Sequence, residues 1–270
     1  MANDVTVSER SRRLPAGRRA AVLELLTTTG QLTVGEIAEQ FSVSIDTIRR
    51  DLDQLDAEGL LIRTHGGAVS IASAPRSDRG MDVRMRMQTA EKEAIAELAA
   101  GLVVDGSVLM LNGGTTTLAV ARALRDHREL TVATNNLRIP AEIPVKALRD
   151  LYVFGGAVRT IAQTTTGPVS FQLTPGGEQL EVQADLAIIA VGAVSSTGYS
   201  TSNLGDAAMM AEMMAHASKV AILADSTKLG RRLFAQIADL GRADWFITDA
   251  APPADLAAAL DAAEVQVLTP

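Results

Sequence analysis

The sequence predicts an α/β protein with two domains, a small helical domain that ends in a β-hairpin and a larger domain built on an open sheet. In the first domain a helical apolar period changes to strand-like alternation near residue 60. In the second, short apolar strands alternate with helical segments, which is typical of an open sheet with mostly parallel strands. We place the domains at residues 1–72 and 89–270. Residues 73–88 are the predicted linker, because they are rich in Pro, Ser, Asp, Arg and Gly and show no sustained apolar period.

Two short helices are predicted in the small domain. Thr33 and Glu36 form a capping box at the start of the first helix, residues 34–41, because each side chain can satisfy a free backbone amide there. Ser44 is the N-cap of the second helix, residues 44–58. Apolar residues recur every three or four positions in both helices, so each helix has one face to bury.

A hairpin follows the second helix. Residues 60–65 alternate between apolar and polar side chains up to the turn at Gly66-Gly67, and residues 68–71 can return as the second strand. The two helices and this hairpin together predict a winged helix-turn-helix.

The second helix carries a pair of outward arginines, Arg49 and Arg50. Two helices at this spacing are typical of a helix-turn-helix, in which the second helix enters the DNA major groove. That groove is about 12 Å wide and admits one helix. The alternative is a solvated face on which both arginines pair with Asp46 and Asp53. The capped helix, the three-residue turn, the outward arginines and the Gly-Gly hairpin together favour DNA binding, because few enzymes need these features in that order.

One ungapped pattern spans both elements: Val43-Ser44-Ile45-Asp46-Thr47-Ile48-Arg49-Arg50-Asp51-Leu52, then Leu55, Gly59 and Arg63-Thr64-His65-Gly66-Gly67-Ala68. It resembles the DeoR-type bacterial regulators. The resemblance implies that the second helix reads DNA through four of these residues, Ser44, Thr47, Arg49 and Arg50. It also implies that Arg63 and His65 contact DNA from the wing.

The small domain has more acidic than basic residues, and the whole chain has a formal net charge of −7. Its arginines are clustered before or at the start of the first helix of the chain, where they could reach phosphates beside the groove: Arg10, Arg12, Arg13, Arg18 and Arg19. We expect weak non-specific DNA binding, because that affinity comes mainly from phosphate neutralisation.

Composition excludes several classes of site. The chain has no cysteine and three scattered histidines, so we expect no disulfide, no metal site and no cofactor. The polar N-terminal segment lacks an apolar signal region, and no apolar run approaches the length of a membrane span. We therefore expect a cytoplasmic protein that makes no membrane contact.

Seven apolar strands are predicted in the large domain: Val108 to Leu111, Leu130 to Ala133, Leu151 to Phe154, Leu186 to Val191, Val220 to Ala224, Trp245 to Thr248 and Val265 to Leu268. The Gly- and Thr-rich stretch from Gln163 to Gly177 is predicted to be a loop.

The clearest chemical signal in this domain is Asn112-Gly113-Gly114-Thr115-Thr116-Thr117, between a strand and a helix. Glycines allow a ligand to approach the backbone, and a helix start offers free amides and the positive end of a dipole, so the loop suits a phosphate. The alternative is a strand-to-helix turn with Gly and an N-capping Thr for structural reasons. The loop matches neither a Walker motif nor a dinucleotide fingerprint.

Three later segments also follow strands: Thr134-Asn135-Asn136, then Gly155-Gly156 with Arg159, and Asp225-Ser226-Thr227-Lys228. Open α/β sheets bind ligands just past the carboxyl ends of their strands. The alternative for Lys228, one of four lysines, is an ordinary surface residue.

The large domain resembles the effector domain of the same family, which is similar to sugar-phosphate isomerases of the ribose-5-phosphate isomerase type. The resemblance implies that Gly114, Thr115 and Thr116 hold a phosphate, that Asn135 and Asn136 line the sugar, and that Lys228 neutralises charge. Where the family usually has Asp-Ser or Asp-Ala, this chain has Asn112-Gly113. The carboxylate expected to bind sugar hydroxyls is therefore absent, although asparagine can still donate and accept hydrogen bonds.

Two functions compete at this stage. The first is a transcription factor, usually a repressor in this family, that binds operator DNA and is controlled by a phosphorylated sugar. The second is a sugar-phosphate isomerase that carries a DNA-binding module, which needs a positioned base. The candidate bases are Asp185, Asp206 and Asp225, and none has a second acid at a suitable spacing, so we expect no enzyme activity.

Oligomerisation is expected from function, because two modules on half-sites about 34 Å apart raise affinity and specificity. The sequence does not choose between a dimer and a tetramer. A stripe of four methionines, Met209, Met210, Met213 and Met214, suits either an adaptable interface or the core, and we favour the core.

Overall fold

The structure is a computed structural model that describes residues 15–57, 60–64, 66–70, 80–171, 178 and 180–270. The chain forms two compact units, Met1–Met87 and Gln88–Pro270.

The first unit contains four helices and three strands in its described part: α1 (Pro15–Thr29), β1 (Gln31–Thr33), α2 (Val34–Phe41), α3 (Ile45–Ala57), β2 (Leu61–Thr64), β3 (Gly67–Ser70) and α4 (Met81–Arg86). The two predicted helices are present as α2 and α3, and the predicted hairpin is β2 and β3. The sequence did not predict β1, which pairs antiparallel with β3 and gives a sheet of order β1-β3-β2. The short helix α4 lies in the segment predicted as a linker, and residues 73–79 of that segment lie outside the described residues.

The capping box at the start of α2 is present. Thr33 Oγ1 accepts from the Glu36 amide at 3.2 Å, and Glu36 Oε2 accepts from the Thr33 amide at 2.7 Å. The Thr33 backbone bond lowers the pKa of Glu36. Ser42 ends α2 in the left-handed region with φ 52, which turns the chain toward α3.

The core of the first unit joins α1, α2, α3 and the hairpin through apolar residues that are almost fully buried: Val22, Leu26, Ile37, Ile48, Leu52, Leu55, Leu61 and Ala68. Within the helices these positions recur at helical spacing, as expected for helices with one buried face.

The second unit is an α/β domain whose described elements alternate along the chain. The helices are α5 (Thr89–Ala100), α6 (Thr115–Ala123), α7 (Ile139–Glu142), α8 (Leu204–Ala215) and α9 (Ala254–Ala262). The strands of the main sheet are β4 (Val108–Leu111), β5 (Leu130–Thr134), β6 (Leu148–Val153), β11 (Ala184–Ala190), β14 (Ala217–Leu223), β16 (Trp245–Ile247) and β17 (Gln266–Leu268). The smaller strands are β7 (Ala157–Arg159), β8 (Thr164–Thr166), β9 (Ser170–Phe171), β10 (Leu180–Glu181), β12 (Ala193–Ser195), β13 (Gly198–Thr201) and β15 (Ala235–Ala238).

The main sheet is parallel throughout, with the order β17-β16-β14-β11-β4-β5-β6. Each of the seven predicted strands corresponds to one strand of this sheet, so the predicted fold class is confirmed. The chain builds outward from β4 in one direction and from β11 in the other. The carboxyl ends of β4 and β11 therefore form a topological switch point, where sheets of this kind have a crevice.

The stretch from Gln163 to Gly177, predicted to be a loop, contains β8 and β9. Strand β8 pairs antiparallel with β7, and its residues Thr164 and Thr165 are buried. Threonine contributes little to a hydropathy pattern, so a strand that buries hydroxyl side chains is not visible in the apolar period. Residues 172–177 lie outside the described residues.

The four methionines of α8 are buried in the core of the second unit, as predicted. In the part of the chain that the structure describes, no helix combines the length and the apolar character that a membrane span requires.

Candidate DNA interface and effector site

The outward face of α3 carries the predicted DNA-reading residues. Arg49 and Arg50 are exposed, and the Arg49 side chain keeps 60% of its surface while its Nη1 lies 3.3 Å from Asp46 Oδ1. An exposed pair of this kind is weak, so it can exchange for a phosphate or a base. At the start of α3, Ser44 Oγ accepts from the Thr47 amide at 3.2 Å and lies 2.9 Å from Thr47 Oγ1. Ser44 is therefore the predicted N-cap and remains exposed.

Arg18 differs from the prediction. It is only 5% exposed, and its Nε lies 2.5 Å from Asp51 Oδ2, which is also buried. The guanidinium therefore ties α1 to α3 inside the unit and does not face solvent, so we remove Arg18 from the proposed DNA contacts. Arg19, the next residue, is partly exposed on α1.

Arg63 connects the wing to α3. Its Nε donates to Asp53 Oδ1 at 3.0 Å, its Nη1 donates to the Gly67 carbonyl at 3.1 Å, and its backbone amide donates to Asp56 Oδ1 at 3.2 Å. Its side chain is 25% exposed. The wing residue predicted from the family pattern is thus also a brace between the hairpin and α3. His65 lies outside the described residues.

Asn112, at the end of β4, is fully buried and bonds to one backbone unit of β11. Its Nδ2 donates to the Ala190 carbonyl at 2.9 Å, and its Oδ1 accepts from the Ala190 amide at 2.8 Å. The side chain therefore staples the ends of β4 and β11 at the switch point. A carboxylate in its place could not donate to the Ala190 carbonyl. We remove Asn112 from the proposed effector contacts.

Helix α6 begins directly after this staple. Its first intrahelical bond joins the Leu118 amide to the Gly114 carbonyl at 3.2 Å, so the earlier amides of the first turn have no carbonyl partner in the helix. Thr117 Oγ1 donates to the Asn112 carbonyl at 2.7 Å and fixes the loop. Thr115 is partly exposed, whereas Thr116 is 1% exposed and its Oγ1 has no hydrogen-bond partner among the described residues.

The two asparagines after β5 are both buried but have different partners. Asn136 Nδ2 donates to the Gly114 carbonyl at 3.0 Å and its Oδ1 accepts from the Arg138 amide at 3.0 Å, so it holds the loop in place. Asn135 Nδ2 donates to the Thr165 carbonyl at 2.8 Å. Its Oδ1 has no partner in the described part of the chain.

The β7–β8 hairpin covers the glycine loop. An ideal Cβ added to Gly113 would lie 2.1 Å from Thr164 Cγ2, so only glycine allows this approach. Arg159, on the same hairpin, pairs with Asp206 on α8, and Thr166 Oγ1 lies 3.4 Å from the other oxygen of Asp206. Thr164 was not among the predicted site residues, because its strand was predicted as loop.

Lys228 is part of a charged cluster at the end of β14. Its Nζ lies 3.3 Å from Asp225 Oδ2, and Asp225 is 2% exposed. Burial raises the pKa of Asp225, but the charge of Lys228, a hydrogen bond from Thr227 and the charge of Lys92 outweigh it, so the pKa lies below its usual value. Lys92, which lies on α5 and is 6% exposed, was not predicted as a site residue, because no motif surrounds it in the sequence. Strand β14 is two strand spacings from β4, about 10 Å.

The three candidate bases of the isomerase hypothesis are all engaged. Asp206 pairs with Arg159, and Asp225 pairs with Lys228. Asp185 accepts from the Val108 amide at 2.8 Å and lies near the start of β11, at the opposite edge of the sheet from the strand-end loops.

Two family models match this chain. The DeoR-like helix-turn-helix domain matches residues 18–74, and the DeoR C terminal sensor domain matches residues 87–250. The chain belongs to the DeoR family. It is a DNA-binding transcriptional regulator, with the DNA-reading unit and the sensor unit that the sequence predicted.

Two relatives span nearly all of this DeoR-family chain. HTH-type transcriptional repressor CsqR of Escherichia coli (strain K12) is 32% identical over 254 residues, which cover 94% of this chain and 95% of that protein. The glycerol-3-phosphate regulon repressor of Escherichia coli (strain K12) is 30% identical over 254 residues and covers 93% and 97%. Among solved structures, ribose 5-phosphate isomerase A from Methanocaldococcus jannaschii matches with a TM-score of 0.32 and 17% identity, covering 53% of this chain and 55% of that one.

Proposed function

We propose that this regulator represses genes of carbohydrate metabolism and that a phosphorylated sugar controls it by binding at the carboxyl ends of β4, β5 and β14. One observation carries the effector part of the proposal. The free first turn of α6 lies at the switch point of the sheet, beside buried oxygens without partners in the described part of the chain. Relatives of similar length that are named as repressors, one of them of a glycerol-3-phosphate regulon, support the rest.

In this proposal the amides of Gly114, Thr115 and Thr116 hold the phosphate, because helix N-termini bind anions through free N–H groups and the helix dipole. Gly113 lets the ligand and the hairpin approach the backbone closely. Lys228 adds positive charge about 10 Å away along the same edge. Asn136 supports the loop from behind, and Arg159 becomes available to the ligand when Asp206 releases it.

For DNA binding, we propose that four residues in the N-terminal part of α3 and its cap contact the operator bases: Ser44, Thr47, Arg49 and Arg50. Arg19 is the proposed contact to a phosphate beside the groove. Arg63 and His65 remain the proposed wing contacts. We also propose that the protein acts as a homo-oligomer, because paired modules on paired half-sites raise specificity.

We infer that the sensor unit binds its ligand without turning it over. Two of the carboxylates that could act as a base, Asp206 and Asp225, are engaged in ion pairs. The third, Asp185, accepts a backbone hydrogen bond at the edge of the sheet opposite the strand-end loops. Conversion of aldose phosphates to ketose phosphates by the purified protein would contradict this inference.

The first test is thermal unfolding of the full chain with a panel of probes. The panel holds glycerol 3-phosphate, ribose 5-phosphate, fructose 6-phosphate, their unphosphorylated parents and inorganic phosphate. A ligand at 100 times its Kd stabilises the folded state by about 2.7 kcal/mol. We expect one phosphorylated compound to raise Tm while its parent does not. The same compound should then release the protein from operator DNA that has been selected from random sequences. No shift across the panel would contradict sugar-phosphate control and leave DNA binding unaffected.

A further inference from the structure

Three buried oxygens surround the glycine loop without a hydrogen-bond partner among the residues that the structure describes: Thr116 Oγ1, Asn135 Oδ1 and Thr164 Oγ1. Their residues are 1%, 5% and 4% exposed. An ideal Cβ on Gly113 would lie 3.1 Å from Thr164 Cβ and 3.5 Å from Asn135 Oδ1, so these two side chains line the same side of the loop. Buried polar atoms are normally paired, because an unpaired one keeps the cost of its lost hydration.

We propose that Thr164 and Asn135 together recognise a hydroxyl group of the effector, while the first turn of α6 takes its phosphate. The inference rests on the proposed function and adds a residue and a chemical selectivity to it. A ligand hydroxyl can donate to Asn135 Oδ1, which only accepts, and can accept from the Thr164 hydroxyl. Asn135 Oδ1 and Thr164 Oγ1 then each gain one hydrogen-bond partner from the same hydroxyl group.

The position of this pair selects a class of ligand. Thr164 and Asn135 lie on the side of Gly113 where a Cβ would be. The proposed phosphate-binding amides begin one residue later, about 3.8 Å along the chain. The recognised hydroxyl therefore lies a few bonds from the phosphorylated carbon. Sugar and polyol phosphates have such a hydroxyl, whereas inorganic phosphate does not.

The fold holds Thr164 without using its hydroxyl. The Thr165 amide donates to the Asn135 carbonyl at 2.9 Å, and Thr165 Oγ1 donates to the Phe154 carbonyl at 2.5 Å. The methyl group of Thr164 packs against Gly113. These contacts fix the hairpin on the strand ends, so a valine at residue 164 keeps the packing and loses only the hydroxyl.

The test compares Thr164→Val with the matched control Thr165→Val, which changes the neighbouring, equally buried threonine whose hydroxyl has a partner. Without ligand, T164V should unfold at the same temperature as the wild type or higher, because it removes an unpaired buried polar atom. T165V should unfold at a lower temperature, because the Phe154 carbonyl loses its donor.

Calorimetric titration with glycerol 3-phosphate, ribose 5-phosphate, fructose 6-phosphate and inorganic phosphate then tests recognition. For the phosphate ester that the wild type binds most tightly, T164V should weaken affinity by roughly five- to tenfold. Its affinity for inorganic phosphate should not change. A selective loss with esters identifies Thr164 as a specificity-determining residue.

Four results would overturn the inference. A ligand-free T164V that is destabilised as much as T165V would show that the hydroxyl is structural. Equal ester affinity in T164V and the wild type would remove Thr164 from the site and leave the proposed function standing. An equal loss for esters and inorganic phosphate would place Thr164 on the phosphate instead of a hydroxyl. If neither esters nor inorganic phosphate bind the wild type, the proposed function fails and the inference fails with it.

Discussion

Asn112 and Asn135 have the same side chain and lie at the ends of neighbouring strands, yet their amides are used differently. The Asn112 side chain uses its oxygen and one N–H in hydrogen bonds to the backbone of β11. The side-chain oxygen of Asn135 has no partner in the part of the chain that the structure describes. Residue type alone cannot separate these roles, because the difference depends on which backbone group lies opposite in the folded sheet. The side-chain contacts that we propose for the effector therefore fall on oxygens without a partner among the described residues.

Arg49 has the clearest predicted effect on DNA binding. Replacing it with alanine should cost roughly 1–3 kcal/mol on a cognate operator and relax base preference, as expected for an arginine that reads a base edge. The measurement is operator affinity by fluorescence anisotropy at fixed salt, with the operator selected from random DNA. Arg125→Ala is the control, since it also removes an exposed, ion-paired arginine but from the second unit. Equal affinities for wild type and R49A would exclude Arg49 from base reading.

Asp225 should make the stability of the second unit depend on pH. Its folded-state pKa lies below the usual value, because Lys228, Thr227 and Lys92 together outweigh burial. A carboxylate with a lowered folded pKa contributes stability that is present above the unfolded-state pKa and is lost as pH falls through the folded-state value. The difference in unfolding free energy between wild type and Asp225→Asn should therefore be largest near neutral pH and shrink in acid. Denaturant unfolding of both proteins from about pH 7 to about pH 3 measures it. A difference that stays constant over this range would contradict the prediction.

Helix α3 is held in the first unit by the buried pair between Arg18 and Asp51. Breaking a buried ion pair by removing one partner typically costs about 3–5 kcal/mol, because the other charge stays buried and unpaired. Arg18→Met should therefore destabilise the unit by an amount of that order and weaken operator binding by displacing α3. The double variant Arg18→Met with Asp51→Leu should recover much of the stability.

Arg19→Met is the matched control, because Arg19 is adjacent in sequence and partly exposed. It should leave unfolding unchanged and reduce DNA affinity only through a lost phosphate contact. Chemical denaturation and anisotropy of all four proteins separate stability from binding. An R18M variant as stable as wild type would show that the pair does not hold α3.

Elements with a strong apolar period were predictable, and those without one were not. The inner strands β4, β5 and β11 of the parallel sheet are largely buried and appear as short apolar runs. The edge strands β6 and β17 are more exposed, but each still contains consecutive apolar residues. Strand β8 consists of three threonines and β1 of three residues, so neither produces such a run. The role of Arg18 was not predictable either, because its buried ion pair is with Asp51, which is 33 positions away in sequence.

At the scale of the whole molecule, charge predicts how DNA binding responds to salt. With a net charge of −7, the protein has little general attraction to DNA, so its non-specific affinity should be low and operator binding should depend on a few arginines. The slope of log K against log salt should therefore be shallow, about −0.9 for each phosphate contact. Titrations at several salt concentrations measure this slope, and a steep slope on random DNA would contradict the prediction.

If the effector controls DNA binding from the second unit, a substitution in the effector site should change release by the ligand and leave operator affinity without ligand unchanged. Lys228→Met removes a cation from the proposed effector site in the second unit, where the side chain is 24% exposed and pairs with Asp225. Operator affinity without ligand should match the wild type, while the phosphorylated sugar that releases the wild type should no longer release the variant. Lys219→Met is the control, because Lys219 pairs with Asp244 near the start of β14, at the opposite edge of the sheet. K219M should keep both the operator affinity and the release by ligand of the wild type.

If K228M is released as readily as the wild type, Lys228 is a surface lysine and the effector is held without it. If K228M loses operator affinity in the absence of ligand, the lysine acts on DNA binding itself and not on its control.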